Sequence, residues 1–124
     1  MIHLDTHVLA WLAAGEAARL SPAARRLIAS EPLAASPMAV LELQFLHEIG
    51  RLAENAASIM AALGDDLGVT IADLSFAAAV AEAREESWTR NPFDRLIVAS
   101  ARAAGARLVS KDPFIRRHFA DAIW

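Results

Sequence analysis

The chain has 124 residues, of which 56% are hydrophobic and 22% charged, a composition that suits one domain over residues 1–124 and excludes disordered and fibrous classes. It has no cysteine, which excludes disulfides and thiolate metal sites, and no apolar run of about 18 residues that would cross a membrane. The net charge of −3 argues by itself against a nucleic-acid binder, and with no signal peptide evident we expect a cytoplasmic protein.

Short apolar runs alternate with segments of helical periodicity along the chain. Several helices are predicted to begin with a capping residue followed by proline, as at Ser21-Pro22, Ser36-Pro37 and Asn91-Pro92. Glycines 15, 50 and 105 are expected to end helices. In chain order the predicted elements are strand 2–5, helix 6–15, helix 22–30, strand 33–36, helix 37–49, helix 55–67, strand 68–71, helix 75–86, helix 92–104, strand 106–110, a short helix from Pro113 and an edge strand at 122–124.

This alternation predicts an α/β fold with a mainly parallel sheet. The strand segments are apolar throughout rather than alternating, which is typical of strands covered on both faces. No linker, repeat or low-complexity segment interrupts the pattern.

Two acids stand at the carboxyl ends of predicted strands or just beyond them. Asp5 follows the first strand, and Asp112 follows the fourth. In open parallel sheets, ligands bind beyond the carboxyl ends of the strands. If the two strands are neighbours, both carboxylates lie at one end of the sheet, where such a fold builds its site.

Two further acids have unusual surroundings. Glu42 lies in the otherwise apolar helix "MAVLELQFL", at the border of a face formed by Met38, Leu41, Phe45 and Ile49. A carboxylate in apolar surroundings is costly unless it is paired or bound to a metal. Asp94 lies in the first turn of its helix, where N–H groups are unpaired and the helix dipole is positive.

Each acid also has a purely structural explanation. Asp5 and Asp112 can cap helices, Asp94 can support the cap formed by Asn91, and Glu42 can face water or pair with an arginine. Together, these explanations account less well for two acids at strand ends and a third within an apolar helix.

A carboxylate cluster without cysteine suits hard divalent cations, Mg²⁺ or Mn²⁺, which act on phosphate substrates. The predicted reaction class is phosphodiester hydrolysis. Residues 84–124 carry eight basic side chains against five acids, so this basic third can supply phosphate contacts. The alternative is ordinary helix-surface charge. The four histidines, His3, His7, His47 and His118, are interpreted as structural or surface residues.

The segments "MIHLDTHVLAWL", "SPMAVLEL", "NPFDRLIVASA" and "LVSKDPFI" resemble PIN-domain proteins, and more closely the VapC toxins of bacterial type II toxin–antitoxin pairs. The resemblance runs the whole length of the chain. It implies a three-layer α/β/α domain with a short central sheet of about four to five strands. It also implies a Mg²⁺- or Mn²⁺-dependent endoribonuclease.

By this resemblance, the four catalytic and metal-binding acids match Asp5, Glu42, Asp94 and Asp112. Thr6 matches a hydroxyl position beside the first acid, and Ser110 stands where many relatives carry threonine. Asn91 replaces an aspartate that relatives often have, which preserves helix capping but puts an ionic role at this position in doubt. Our candidates for phosphate contacts are Arg95, Lys111 and Arg116, although Arg95 has a structural ion pair as its alternative.

The resemblance further implies RNA as substrate and a small antitoxin as partner. It implies a homodimer as well, with operator DNA bound only indirectly through the antitoxin, and no membrane. Two other readings remain open. One is a phosphatase-type phosphoryl-transfer enzyme on a similar sheet, which is weakened because Asp5-Thr6-His7 lacks a second acid. The other is a non-catalytic binding module with the same fold.

Overall fold

The computed structural model describes residues 1–124 and has a five-stranded sheet at its centre. All four strand pairings are parallel, and the strand order is β3-β2-β1-β4-β5. The predicted mainly parallel α/β class is therefore confirmed. The strands are β1 (Ile2–Leu4), β2 (Leu33–Ala35), β3 (Thr70–Ile71), β4 (Arg107–Val109) and β5 (Ala122–Ile123).

Seven α-helices and one short 3₁₀ turn connect the strands. The predicted caps at Ser21, Ser36 and Asn91 are present, each with a side-chain oxygen accepting a backbone N–H of the first turn. No helix has the length and apolarity that a bilayer crossing requires. The helices are α1 (Thr6–Ala13), α2 (Pro22–Ser30), α3 (Pro37–Glu48), α4 (Ala56–Leu67), α5 (Phe76–Ala83), α6 (Pro92–Ala103) and α7 (Pro113–His118), and the 3₁₀ turn is Ala17–Arg19.

Helix α5 is shorter than predicted, since it ends at Ala83 and not at Glu86. Its last turn tightens, with the N–H of Glu86 bonding to the carbonyl of Ala83. The Glu86 side chain is buried and accepts hydrogen bonds from Arg102 Nε at 2.6 Å and Trp88 Nε1 at 2.5 Å. The tertiary contact with Arg102 draws Glu86 away from the helix.

Helices cover both faces of the central strands, as the apolar strand segments predict. All residues of β1 and β2 are buried, although successive side chains point to opposite faces of the sheet. The edge strand β3 differs, because both of its residues are exposed. The expectation of two covered faces therefore holds for the sheet centre and not for this edge.

The apolar face predicted on α3 lies largely at the surface. Leu41, Phe45 and Ile49 are 54%, 43% and 52% exposed, and we call them the apolar stripe. The core side of this helix is formed by Ala39 and Leu43. Leu43 belongs to the main cluster of buried side chains around the sheet, together with residues of α1, α4 and α6.

The sheet order decides where the strand-end acids lie. Strands β1 and β4 are direct neighbours, with Leu4 opposite Val109. The N–H of Asp5 donates to the carbonyl of Val109 at 3.1 Å, so the pairing continues to the end of both strands. The segments that follow the two strands therefore leave the sheet side by side.

Candidate active site

A cavity of about 270 Å³ opens at the carboxyl end of the sheet, and we call it the acid cavity. The structure brings all four predicted carboxylates together at its wall. They come from the end of β1, from α3, from the first turn of α6 and from the start of α7. The lining residues are Asp5, Thr6, His7, Glu42, Leu46, Asn91, Asp94 and Asp112.

Asp5 is buried and held from two sides. As the cap of α1 it accepts the Thr6 N–H at Oδ1 over 2.8 Å. Its Oδ2 accepts the Ser110 hydroxyl over 2.6 Å. The carboxylate therefore has little rotational freedom, and its position is set jointly by β1 and β4.

Ser110 connects two of the acids. Its hydroxyl donates to Asp5 and also accepts the backbone N–H of Asp112 over 3.1 Å. The residue is fully buried. Ser110 therefore fixes the turn after β4 relative to Asp5. It supports the site from below and does not line the acid cavity.

Glu42 projects from α3 towards Thr6 and Asp5. Burial raises the pKa of Glu42, and the nearby charge of Asp5 raises it further, while the Thr6 hydroxyl acts in the opposite direction. The Thr6 hydroxyl is buried and makes no regular hydrogen bond within the protein. The Thr6 hydroxyl lies near the Glu42 carboxyl and favours its charged form, although the two groups do not form a hydrogen bond of normal geometry.

Asp94 has the most perturbed carboxyl group of the site. Burial, followed by the charges of Asp5, Glu42 and Asp112, raises its pKa to about 7. Its backbone N–H donates to Asn91 Oδ1 at 3.3 Å, as does that of Phe93 at 2.9 Å. Asn91 thus performs the predicted capping role and fixes the turn that carries Asp94.

Asp112 combines the structural explanation with the functional one. It caps α7, with Oδ1 accepting the N–H of Phe114 at 2.8 Å and that of Ile115 at 3.4 Å. The capping bonds use one oxygen of the carboxylate, so Oδ2 is left for a ligand. Serving as a helix cap and lining the acid cavity are therefore compatible.

His7 lies in the site, although the sequence analysis assigned it no role there. Its Nε2 accepts the backbone N–H of Lys111 at 3.0 Å, and its Nδ1 is 3.5 Å from Asp5 Oδ2. This contact joins the start of α1 to the turn after β4. The available signal was its position two residues after a strand-end acid. His3, in contrast, is buried within β1 and agrees with a structural role.

The three basic candidates are dispersed. Lys111 lies beside the acid cavity, in a neighbouring cleft that includes His7 and Asp112. Arg116 is exposed on α7. Arg95 lines a different surface pocket with residues of α5, and its Nε donates to the carbonyl of Thr89 at 2.8 Å. The structure therefore does not bring Arg95 to the acids, nor does it give Arg95 the alternative ion pair.

The donor set fits a hard divalent cation in its chemistry. All four acidic side chains offer oxygen ligands, and no lysine or arginine lines the acid cavity to neutralise them. The raised pKa of Asp94 reflects first its burial and then this uncompensated negative charge. No group of three or more His, Asp or Glu side chains is arranged so that it could hold a metal ion directly. A hydrated Mg²⁺ needs only one or two direct carboxylate ligands, because it keeps several of its waters.

Comparisons with known proteins agree with this architecture. A model of the PIN domain matches residues 2–118. Ribonuclease VapC22 of Mycobacterium tuberculosis is 38% identical over 118 residues, which cover 93% of this chain and 89% of the relative.

Two solved structures share the fold. VapBC2 of Rickettsia felis, bound to a DNA fragment from its promoter, matches with a TM-score of 0.62 at 19% identity, over 99% of this chain and 96% of that one. VapC20 of Mycobacterium tuberculosis, a toxin that cleaves the sarcin–ricin loop, matches with a TM-score of 0.57 at 21% identity, over 98% of each chain.

Proposed function

This chain belongs to the PIN domain family and resembles its VapC ribonucleases, and we propose that it is a divalent-metal-dependent endoribonuclease acting as the toxin of a toxin–antitoxin pair. The observation that carries the proposal is the convergence of Asp5, Glu42, Asp94 and Asp112 on one cavity. Four separated segments supply these acids. The reaction is hydrolysis of an RNA phosphodiester bond.

In this proposal the four carboxylates hold Mg²⁺ or Mn²⁺. When bound, the cation supplies activation of water and stabilisation of the leaving oxygen. The chain itself supplies rigidity. Ser110 and the Thr6 N–H orient Asp5, and Asn91 fixes the turn that carries Asp94. Prepositioned ligands of this kind reduce the cost of assembling the site around its substrate.

Positive side chains near the acid cavity would bind the RNA backbone. Lys111 is the best placed, because it follows Ser110 directly and borders a cleft shared with Asp112. Arg116, an exposed residue of α7, would extend this contact. Arg95 does not take this role, because it lines another pocket.

Cleavage of total bacterial RNA tests the proposal. The purified protein is expected to give discrete fragments with Mg²⁺ or Mn²⁺ and none with EDTA. Asp5→Asn and Asp94→Asn should each abolish cleavage, whereas Asp66→Asn, at an exposed acid of α4, should not. The proposal fails if folded Asp5→Asn protein cleaves RNA as well as the wild type.

Metal binding separates the remaining alternatives. Isothermal titration calorimetry with Mn²⁺ should show binding to the wild type and weaker binding to Asp94→Asn. Absence of both cleavage and Mn²⁺ binding would favour the non-catalytic binding module. Phosphate covalently attached to Asp5 would favour a phosphatase.

We also propose an antitoxin that covers the acid cavity. The apolar stripe lies on α3, the helix that supplies Glu42 to the cavity. Phe45 stacks on Phe93 with ring centroids 5.7 Å apart, and Phe93 precedes Asp94. A segment with apolar side chains for the stripe and a basic one for the cavity fits this surface. Any operator DNA would be contacted through the antitoxin.

A homodimer is proposed on a groove that meets the apolar stripe at Leu41. A groove between α3, α5 and α6 is lined mainly by apolar side chains, and Phe76 at its rim is 71% exposed. Val80 and Leu41 extend the exposed apolar area. Contiguous apolar surface of this kind is typical of protein interfaces.

A further inference from the structure

Phe114 is a large apolar side chain that the fold leaves in solvent. It is 60% exposed and does not pack against the core cluster. Leaving a phenylalanine exposed forgoes the favourable free energy of burying its ring. Its position is not remote from the chemistry, since it is the second residue of α7 and its N–H is bound by Asp112.

The Phe114 ring forms a ridge between two clefts. One cleft is lined by His7, Trp11, Lys111, Asp112 and Pro113, together with Phe114 itself. The other is lined by Trp88, Thr89, Asp94, Asp112 and Phe114. Asp112 borders both clefts and the acid cavity. A group seated against Phe114 is therefore next to the proposed reaction site from either side.

Positive charges alternate with aromatic rings on this surface. Lys111 Nζ lies 5.8 Å from the centroid of the Trp11 ring and 6.0 Å from that of Trp124. The Arg117 guanidinium lies 5.8 Å from the centroid of Phe114. Proteins that bind single-stranded nucleic acid combine these two features, with rings for the bases and cations for the phosphates.

We propose that Phe114 is the stacking platform for an unpaired nucleobase of the RNA substrate, with Lys111 contacting an adjacent phosphate. The proposal rests on the proposed ribonuclease function and adds to it the residue that contacts a base, which must be unpaired to reach the ring. In duplex RNA the bases are stacked within the helix and unavailable to such a ring. The neighbouring cations favour an anionic strand over an apolar peptide at this position.

Binding in EDTA tests the proposal without cleavage. Fluorescence anisotropy would measure the Kd for a labelled short oligouridylate and for an abasic ribose-phosphate chain of the same length. Phe114→Leu, which retains apolar bulk without an aromatic face, should weaken oligouridylate binding roughly tenfold or more, and Phe114→Tyr should preserve it. The abasic chain should bind wild type weakly and be insensitive to both substitutions.

Lys111→Gln should behave differently from Phe114→Leu. It should weaken the binding of both chains and reduce the salt dependence of Kd, because a phosphate contact releases counterions whatever the base. Phe114→Leu should leave the salt dependence unchanged. This contrast separates stacking from general electrostatic attraction.

Two outcomes would overturn the proposal. Phe114→Leu could bind oligouridylate as tightly as wild type, or it could weaken oligouridylate and the abasic chain equally. Either result would show that the exposed ring does not stack on a base. Cleavage of total RNA by wild type is measured in parallel. If wild type cleaves RNA and Phe114→Leu binds oligouridylate as tightly as wild type, only the stacking role is rejected. If wild type does not cleave RNA, the ribonuclease function itself is rejected.

Discussion

At the scale of single residues, the acid cavity shows how one side chain serves both folding and function. Asp112 caps α7 through Oδ1 and still faces the cavity, and Asp5 does the same for α1. A carboxylate oxygen at the start of a helix, beside a strand end, can cap the helix and can also bind a ligand at the edge of the sheet. The structural explanation of an acid therefore does not exclude the functional one.

Asp94 predicts a pH-dependent stability in protein freed of divalent cations. Its pKa rises from 3.8 to about 7 on folding, so the folded state binds more protons than the unfolded state between these values. Stability should be highest below pH 3.8 with respect to this group and should fall as pH rises towards about 7. Asp94→Asn should flatten this dependence. At pH values above about 7 it should stabilise the metal-free protein by on the order of 2 kcal/mol.

Denaturant unfolding in EDTA across this pH range measures the effect. Asp66→Asn, an exposed acid on α4, serves as the matched control and should leave the slope unchanged. Parallel pH profiles for wild type and Asp94→Asn would contradict the assignment of an uncompensated buried charge to this carboxyl group.

Ser110 predicts a coupled loss of stability and activity. Ser110→Ala removes the donor to Asp5 and the acceptor of the Asp112 N–H, both in a buried place. We expect a loss of about 1–3 kcal/mol in unfolding free energy, and RNA cleavage reduced about tenfold as Asp5 loses its orientation.

Ser110→Thr is the control because it retains the hydroxyl. It should keep most of the cleavage activity, measured as kcat/KM on one RNA fragment substrate. If Ser110→Ala and Ser110→Thr lose activity equally, the hydroxyl does not position Asp5.

At the scale of elements, the helix starts are where local sequence acts most strongly. A capping side chain followed by proline begins α2, α3 and α6 at the predicted residue. The glycines predicted to follow α3 and α6, Gly50 and Gly105, have φ of 81° and 61°. Such signals involve only neighbours in the chain, so they can be recognised without the fold.

Asn91 allows a test of how a cap supports the site. Asn91→Ala should destabilise the protein by about 1 kcal/mol, because two N–H groups of α6 lose their acceptor. Asn91→Asp should retain the cap while adding a negative charge to the acid cavity. Thermal unfolding of both variants should therefore show the larger loss for alanine when Mg²⁺ is present.

The same two variants report on Asp94. Since Asn91 holds the Asp94 turn, Asn91→Ala is expected to reduce RNA cleavage as well as stability. Unchanged melting temperature in Asn91→Ala would show that this cap contributes nothing, and would remove the reason for the expected loss of activity.

At the scale of the whole molecule, strand order is what assembles the site. Strands β1 and β4 lie far apart in the chain and pair directly, which joins Asp5 to Ser110 across 105 residues. Helices α3 and α6 then contribute Glu42 and Asp94 from the side. Surface features are also distributed by the fold. The apolar stripe meets the Phe76 groove at Leu41, whereas the Phe114 ridge borders other clefts.

Phe76 predicts the oligomeric state. If the groove at α5 is the homodimer interface, Phe76→Asp should shift sedimentation to the monomer, because a charge would be buried there without a partner. Phe114→Asp changes an equally large exposed ring elsewhere and should leave the dimer intact. Identical sedimentation of wild type and Phe76→Asp would exclude this groove as the interface.

Local sequence was sufficient to predict the order and approximate bounds of the helices and strands, the parallel α/β class and the four acids that line the acid cavity. It did so because capping, apolar runs and strand-end carboxylates are properties of residues adjacent in the chain. The early end of α5 escaped this reasoning, since Glu86 is drawn away by Arg102, which lies beyond the helix in sequence.

Only the tertiary structure decided which of these residues meet. It brought His7 and Asn91 to the acid cavity, left Arg95 outside it and exposed the apolar stripe of α3. It also raised the pKa of Asp94, through burial and three carboxylates from other segments. Electrostatic and packing effects depend on distances in space, and those distances follow from the strand order rather than from spacing along the chain.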